Sequence, residues 1–286
     1  MSEKHIEDSS APLIEHLTEL RSRLIRSLLA FVIMMMICFA VAESIFEFLA
    51  LPMKDAMIDR GMDPTLIFTG AHKVFFTYIS VSLFGGFFLS FPIIASQLWR
   101  FVAPGLYKSE QKALLPFLIA SPVLFLIGAA FAYYAAIPLA LDFFIGFAKQ
   151  AGEGSSEISI ELLPAVDEYL SLTMKFVLAF GICFQLPVAL TLMGKAGLVN
   201  SQGLIDYRKY AVVGLLVVAA LFTPPDVFSM LLLFVVIFSL YEVSIWLVKS
   251  VEKKREEKLR AEGYFDDDDF EEDFEDNPDE TPETSR

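Results

Sequence analysis

The sequence predicts an all-α integral membrane protein with six transmembrane helices. Hydrophobic residues make up 55% of its 286 positions. Two uncharged runs, 74–99 and 113–141, are long enough to cross a bilayer, which takes about 20 apolar residues in a helix. Lys and Arg residues gather in short segments on one side of these runs, as in cytoplasmic loops. Soluble domains do not have this composition.

The chain begins with a cytoplasmic segment, residues 1–26, which carries a predicted amphipathic helix at the membrane surface. Four leucines recur there at spacings of three or four residues: Leu13, Leu17, Leu20 and Leu24. The first predicted span, 27–42, follows directly. The long loop after it, 43–73, should hold a short helix that ends at Pro52, because proline lacks the N–H that continues a helix.

The next two predicted spans, 74–99 and 113–136, are joined by a short basic segment that contains a lone carboxylate, Glu110. A second long loop, 142–168, leads to the fourth predicted span, 169–193. Gln185 lies well inside this span. A packing hydrogen bond between helices explains such a residue as readily as a functional role does.

The fifth and sixth helices should form a tight hairpin in which both are short. Sixteen uncharged residues separate Lys209 from Asp226, and the two prolines before Asp226 end the fifth helix. Asp226 is then an expected N-cap for the sixth helix, 227–248. Glu242 in that helix should pair with Lys249 or reach outward to the membrane surface.

The charge distribution predicts the topology. Seventeen of the 22 Lys and Arg residues precede the first span, lie in the two short loops or follow the sixth span. This bias predicts a multi-pass protein with both termini in the cytoplasm. A six-helix membrane domain, 27–248, is then followed by a cytoplasmic region, 249–286. Residues 262–286 hold thirteen of the 36 acidic residues, which predicts a disordered tail and no nucleic-acid partner.

The sequence contains none of the common catalytic or metal-binding motifs. GxxxxGK[ST], HExxH and CxxC are absent, and the three histidines are scattered. We therefore expect that the protein is not an enzyme and that it binds no metal and no cofactor. Cys38 and Cys183 lie in apolar runs and should act as small hydrophobic side chains. A secondary transporter of a small solute or ion remains an alternative, although the chain lacks the internal repeats and mid-membrane acid pair typical of that class.

Two glutamates fall on the predicted cytoplasmic face, and each has an ordinary structural explanation. Glu19 can pair with Arg23, which follows four residues later on the same helix. Glu110 lies in the first turn of the third span, where the helix dipole favours an anion.

Four segments together resemble the signature segments of the TatC family, the multi-spanning receptor subunit of the bacterial twin-arginine protein translocase. They are HLTELRSRL (16–24), FVAPGLYKSE (101–110), FQLPVAL (184–190) and LFTPPDVFS (221–229). They follow the family's order across most of the membrane domain. The resemblance implies a glove-like, concave arrangement of six helices in the bacterial inner membrane, and transport driven by the proton-motive force.

The resemblance also implies a binding site for signal peptides with two consecutive arginines, which folded precursor proteins carry. Glu19 and Glu110 occupy the positions that bind the arginines, and Arg21, Leu24 and Phe101 support the same patch. A carboxylate accepts the planar guanidinium fork in bidentate fashion, and lysine cannot copy that geometry.

By the same resemblance, the single-span subunits TatA and TatB should dock on the fifth and sixth helices, at Thr223, Asp226 and Met230. The receptor complex should also contain more than one copy of this chain. Many relatives have Glu where this chain has Gln185, so we expect a polar contact inside the cavity there and no proton carrier. Some relatives have Gln at the position of Met230, so the partner contact should be less polar here.

Overall fold

The computed structural model describes residues 3–102, 115–153 and 163–261, and these residues are almost entirely helical. The prediction of an all-α membrane protein is confirmed. Within these ranges, extended backbone pairs only at a single bridge between Ile67 and Ala165. The helices are α1 Glu3–Ala40, α2 Ala42–Ile58, α3 Ala71–Val102, α4 Leu115–Phe131, α5 Ile137–Glu153, α6 Val166–Cys183, α7 Leu186–Lys195, α8 Ser201–Asp206, α9 Arg208–Phe222 and α10 Val227–Ala261.

Five helical stretches of the described chain are long and apolar enough to cross a membrane: His16–Ala40, Ala71–Phe101, Pro116–Phe147, Val166–Lys195 and Val227–Glu257. The predicted fifth helix corresponds to α9, whose 15 residues rise only about 22 Å. A hydrocarbon core is about 30 Å thick, so α9 is short, as predicted. The expectation of a short sixth helix is wrong. The helix does not end at Val248 but continues into its charged extension, so that α10 runs for 35 residues.

The first helix is also continuous and packs along α3. The predicted surface helix and first span form one helix of 38 residues. A Cβ atom at Gly86 would lie 2.7 Å from the Cα of Met35, and one at Gly85 would lie 2.9 Å from the Sγ of Cys38. The two glycines therefore let the α1 and α3 backbones approach closely. Cys38 and Cys183 are both free and buried, as predicted.

Helix α2 does not end at Pro52, contrary to our expectation; it continues to Ile58 with the proline inside. Pro52 cannot donate the hydrogen bond that the carbonyl of Phe48 would otherwise accept. The hydroxyl of Tyr133 donates to that carbonyl instead, at 2.6 Å. The hydroxyl of Tyr169 donates to the next carbonyl, that of Leu49, at 2.9 Å. Two tyrosines that are distant in sequence thus donate hydrogen bonds to backbone carbonyls in the turn before the proline.

The predicted loop from Asp142 is wrong in its first part, because α5 continues to Glu153. A π-helical turn of five residues joins α4 to α5. The buried residues of α5 recur at spacings of three and four and share one face: Ile137, Ala140, Leu141 and Ile145. Asp142 lies on the other face, where it forms an ion pair with Arg60 at 2.8 Å. This amphipathic pattern extends the helix beyond the apolar run.

Candidate functional site

Glu19 lies on α1, and its side chain is 37% exposed. Its Oε1 atom accepts hydrogen bonds from both Nε and Nη2 of Arg23, the first at 3.0 Å. The predicted pair between these two residues is therefore present. Both bonds are made to one oxygen of the carboxylate. Arg23 is the more buried partner of the pair, because its side chain is only 19% exposed.

The end of α3 lies beside the turn of α1 that precedes Glu19. The imidazole ring of His16 stacks on the phenyl ring of Phe101, with centroids 4.3 Å apart and planes 13° apart. Arg21 and Leu24 are exposed on α1. Our sequence argument did not assign a role to His16, although it opens the segment HLTELRSRL.

Four of the five predicted signal-peptide residues are described. Glu19, Arg21 and Leu24 lie within about two turns of α1, and Phe101 at the end of α3 contacts α1 at His16, one turn before Glu19. The fifth, Glu110, lies outside the described residues. Its assignment therefore stays a prediction from the sequence.

Gln185 sits where the predicted fourth span divides into α6 and α7. Its Oε1 accepts a hydrogen bond from Oγ of Ser121 at 2.5 Å, and its Nε2 donates to the carbonyl of Ser121 at 3.0 Å. Ser121 lies on α4 and is 1% exposed. The observed bond is thus a packing contact between two helices, the ordinary one of the two explanations. Our sequence argument missed Ser121, although a Ser-Pro pair inside an apolar run could have indicated a polar contact there.

The Thr223–Asp226 turn joins α9 to α10. Oδ1 of Asp226 accepts a hydrogen bond from the backbone N–H of Ser229 at 2.6 Å, which confirms the predicted N-cap. The hydroxyl of Thr223 donates to the carbonyl of Ala219 at 2.9 Å, and this closes the last turn of α9. Met230 is partly buried against the core of the helix bundle.

Helix α9 leaves one apolar face exposed next to this turn. Val213, Val217 and Leu221 recur at every fourth position, and they are 61%, 55% and 78% exposed. Such a stripe on a membrane helix faces lipid or the helix of another subunit.

The expected pair of Glu242 with Lys249 is wrong. Its carboxylate forms an ion pair with Arg208 at 2.8 Å. The antiparallel hairpin of α9 and α10 brings Arg208 beside Glu242, whereas Lys249 lies about two helical turns farther along α10. The hairpin is therefore tied at both ends, by this pair and by the Asp226 cap.

Comparisons with known proteins agree with the segment resemblance. The family model described as Sec-independent protein translocase protein (TatC) matches residues 15–235. A protein of that name from Magnetococcus marinus is 46% identical over 255 residues, covering 89% of this chain and 90% of the relative. The Escherichia coli K12 protein of the same name is 36% identical over 241 residues, covering 84% and 89%.

A solved structure is also similar. The crystal structure described as Twin Arginine Translocase Receptor- TatC matches with a TM-score of 0.72 and 38% sequence identity. The match covers 83% of this chain and 99% of that chain.

Proposed function

This chain belongs to the TatC family of Sec-independent protein translocase proteins, and we propose that it is the signal-peptide receptor and core subunit of a twin-arginine translocase. Members of the family are components of a membrane protein translocase and are not enzymes. The substrates are folded precursor proteins whose signal peptides carry two consecutive arginines.

Recognition rests on two carboxylates, one for each arginine of the signal peptide. A guanidinium donates two parallel hydrogen bonds to a carboxylate, and this gives the pair both strength and geometric specificity. A lysine ammonium offers a point charge without the planar fork. Glu19 and Glu110 are the two acceptors, and the exposed Leu24 side chain contacts the apolar part of the peptide.

The observation that carries this proposal is the contact between α1 and the end of α3. Phe101 stacks on the ring of His16, which lies one turn before Glu19. The chain continues from Phe101 to Glu110 over nine residues. This segment begins beside the Glu19 turn, and its short length limits how far the Glu110 carboxylate can lie from that turn.

The partner subunits TatA and TatB dock on the hairpin of α9 and α10. The exposed stripe of α9 supplies an apolar face for a single-span helix, and the Thr223–Asp226 turn fixes the end of that face. Met230 makes this contact less polar than a glutamine would. The receptor complex contains further copies of this chain.

The protein lies in the bacterial cytoplasmic membrane with both termini in the cytoplasm, and the proton-motive force drives transport. The distribution of Lys and Arg along the chain supports this orientation. Glu19 and the 103–114 segment then face the compartment in which precursors fold.

A peptide-binding experiment tests the receptor function. We expect the full chain in lipid nanodiscs to bind a signal peptide with two arginines more tightly than its two-lysine counterpart. Glu19→Ala and Glu110→Ala should each lower the affinity for the arginine peptide about tenfold, because each removes a charged hydrogen-bond acceptor. The double variant should lose the preference for arginine altogether.

Glu168→Ala is the matched control, because Glu168 is an exposed acid at the start of α6, on the predicted outer face. It should bind both peptides as the wild type does. Single variants at Glu19 and Glu110 that kept the full wild-type preference would refute the two-carboxylate site.

A further inference from the structure

We propose that Phe143 is a positioning residue for the partner-docking hairpin of α9 and α10: its stack on Phe228 fixes the first turn of α10 against α5. This inference rests on the proposed docking of TatA and TatB on that hairpin, and it adds a residue that does not itself contact the partner. Phe143 acts through Phe228.

The stack joins two helices that are far apart in the sequence. The phenyl rings of Phe143 on α5 and Phe228 on α10 have centroids 4.1 Å apart, and their planes differ by only 6°. Aromatic pairs gain energy beyond the area they bury, and the gain depends on the relative orientation of the rings. The stack therefore restrains both the distance and the angle between α5 and the first turn of α10.

Phe228 lies inside the predicted docking site, all of whose residues are described. It is the second residue of α10, between Asp226, which caps the helix, and Met230. The neighbouring residue, Ser229, donates its backbone N–H to Asp226, so that the cap belongs to the same turn as Phe228. A contact that holds Phe228 therefore also holds the turn and the start of the docking face.

Helix α9 depends on α10 for its position. All fifteen residues of α9 are described, and only Ala219 among them is buried. Its links to α10 are the Asp226 turn at one end and the ion pair of Arg208 with Glu242 at the other. A displacement of the first turn of α10 would therefore displace the exposed stripe of α9 as well.

The stack connects α10 to a support that is itself fixed. Just before Phe143, Asp142 forms an ion pair with Arg60 at 2.8 Å, and its carbonyl accepts a second hydrogen bond from Arg60 at 3.2 Å. These bonds tie α5 to the chain that follows α2. Toward the other end of α10, a Cβ atom at Gly194 would lie 2.9 Å from Cγ1 of Val248, so α7 holds that end closely.

Loss of the stack should weaken partner docking and leave signal-peptide binding unchanged. A partner helix binds only the arrangement in which the α9 stripe and the turn match its surface. Its apparent affinity falls with the fraction of molecules in that arrangement. The proposed peptide site uses Glu19 on α1, which does not take part in the stack.

The test titrates labelled TatB against the full chain in liposomes and measures binding of the arginine peptide in parallel. Phe143→Leu should weaken TatB binding about three- to tenfold, the range that an aromatic pair contributes, with the wild-type affinity for the peptide. Phe143→Tyr keeps the ring and should retain TatB binding. Phe48→Leu is the matched control, because Phe48 forms a similar stack with Tyr133, at 4.5 Å and 6°, between α2 and the turn that joins α4 to α5. That variant should bind TatB as the wild type does.

A double-variant cycle tests the contact from its other side. Phe228→Leu should give the same loss as Phe143→Leu, and the double variant should be no worse than Phe228→Leu alone. Wild-type affinity for TatB in both single variants would overturn the inference. Equal losses of TatB and peptide binding, an equal loss in Phe48→Leu, failure of Phe143→Tyr or additive losses in the double variant would overturn it too. A wild type that bound no TatB would instead overturn the docking proposal itself.

Discussion

At the scale of single residues, the proposed site implies that Arg23 and the arginines of a signal peptide compete for the carboxylate of Glu19. Arg23 donates two hydrogen bonds to Oε1 of Glu19. An incoming guanidinium that binds both oxygens must displace at least part of this pair. Both bonds of Arg23 are made to Oε1, so a lysine ammonium, which needs only one oxygen, should meet less competition than a guanidinium that binds both.

Replacing Arg23 tests this competition. Arg23→Ala should raise the affinity for the arginine peptide about two- to fivefold, which is the range for a surface ion pair, and should raise the affinity for the lysine peptide less. Titration of both peptides against the variant measures the two affinities. Arg26→Ala removes an exposed arginine of the same helix and should change neither. Weaker binding in Arg23→Ala would mean that Arg23 orients Glu19.

Gln185 and Ser121 form the second pair of interest at this scale. Gln185→Leu should lower the free energy of unfolding by about 0.6 kcal/mol, the average for a hydrogen bond between membrane helices. It should also weaken transport while leaving signal-peptide binding intact. Ser121→Ala should cost a similar amount, and the double variant should cost no more than either single change. Thermal unfolding in detergent and an export assay provide the measurements. Full stability and full export in Gln185→Leu would contradict the role of this bond.

At the scale of helices, the Tyr133 hydroxyl keeps α2 continuous through Pro52. Tyr133→Phe should lower the unfolding free energy by about 1 kcal/mol, because the carbonyl of Phe48 then loses its donor in a partly buried position. Tyr134→Phe is a close control, since the neighbouring tyrosine is 72% exposed. Thermal unfolding of the two variants compares them directly. Equal stability of both would show that water satisfies the Phe48 carbonyl.

The hairpin of α9 and α10 depends on the Asp226 cap. Asp226→Ala should cost about 1 kcal/mol of stability, the usual loss for an N-cap, and should reduce the amount of TatB that co-purifies. Asp226→Asn keeps an oxygen acceptor for the N–H of Ser229 and should retain most of both properties. If Asp226→Ala purified with its full complement of partner and unchanged stability, the turn would have no role in docking.

At the scale of the whole molecule, the sequence predicts features that belong to contiguous stretches and misses contacts between distant ones. Apolar runs and the bias of Lys and Arg gave the fold class, and the Pro-Pro-Asp turn gave the cap. The pairing of Arg208 with Glu242 joins residues 34 positions apart, and that of Tyr133 with Phe48 joins residues 85 apart. Such pairs depend on how helices pack, which a single sequence does not reveal.

The charged extension of α10 is part of the folded molecule. Glu252 accepts hydrogen bonds from the backbone N–H of Ser201, at 2.8 Å, and from the hydroxyl of Ser201. The hydroxyl of Tyr241 donates to the carbonyl of Leu204 at 2.7 Å. The α7–α9 connection is therefore held against α10 through α8.

Two truncations separate this extension from the acidic tail. A chain that ends after Arg260 keeps Glu252 and loses residues 261–286, which include the acidic tail, whose composition predicts no contribution to a core. It should insert, bind the arginine peptide and support export as the full chain does.

A chain that ends after Val248 loses Glu252, which leaves the N–H and hydroxyl of Ser201 without this acceptor. Export should fall in the shorter chain, and Glu252→Ala in the full chain should show part of the same loss. Equal export by both truncated chains would mean that the extension is dispensable, and loss of export after Arg260 would assign a function to the tail.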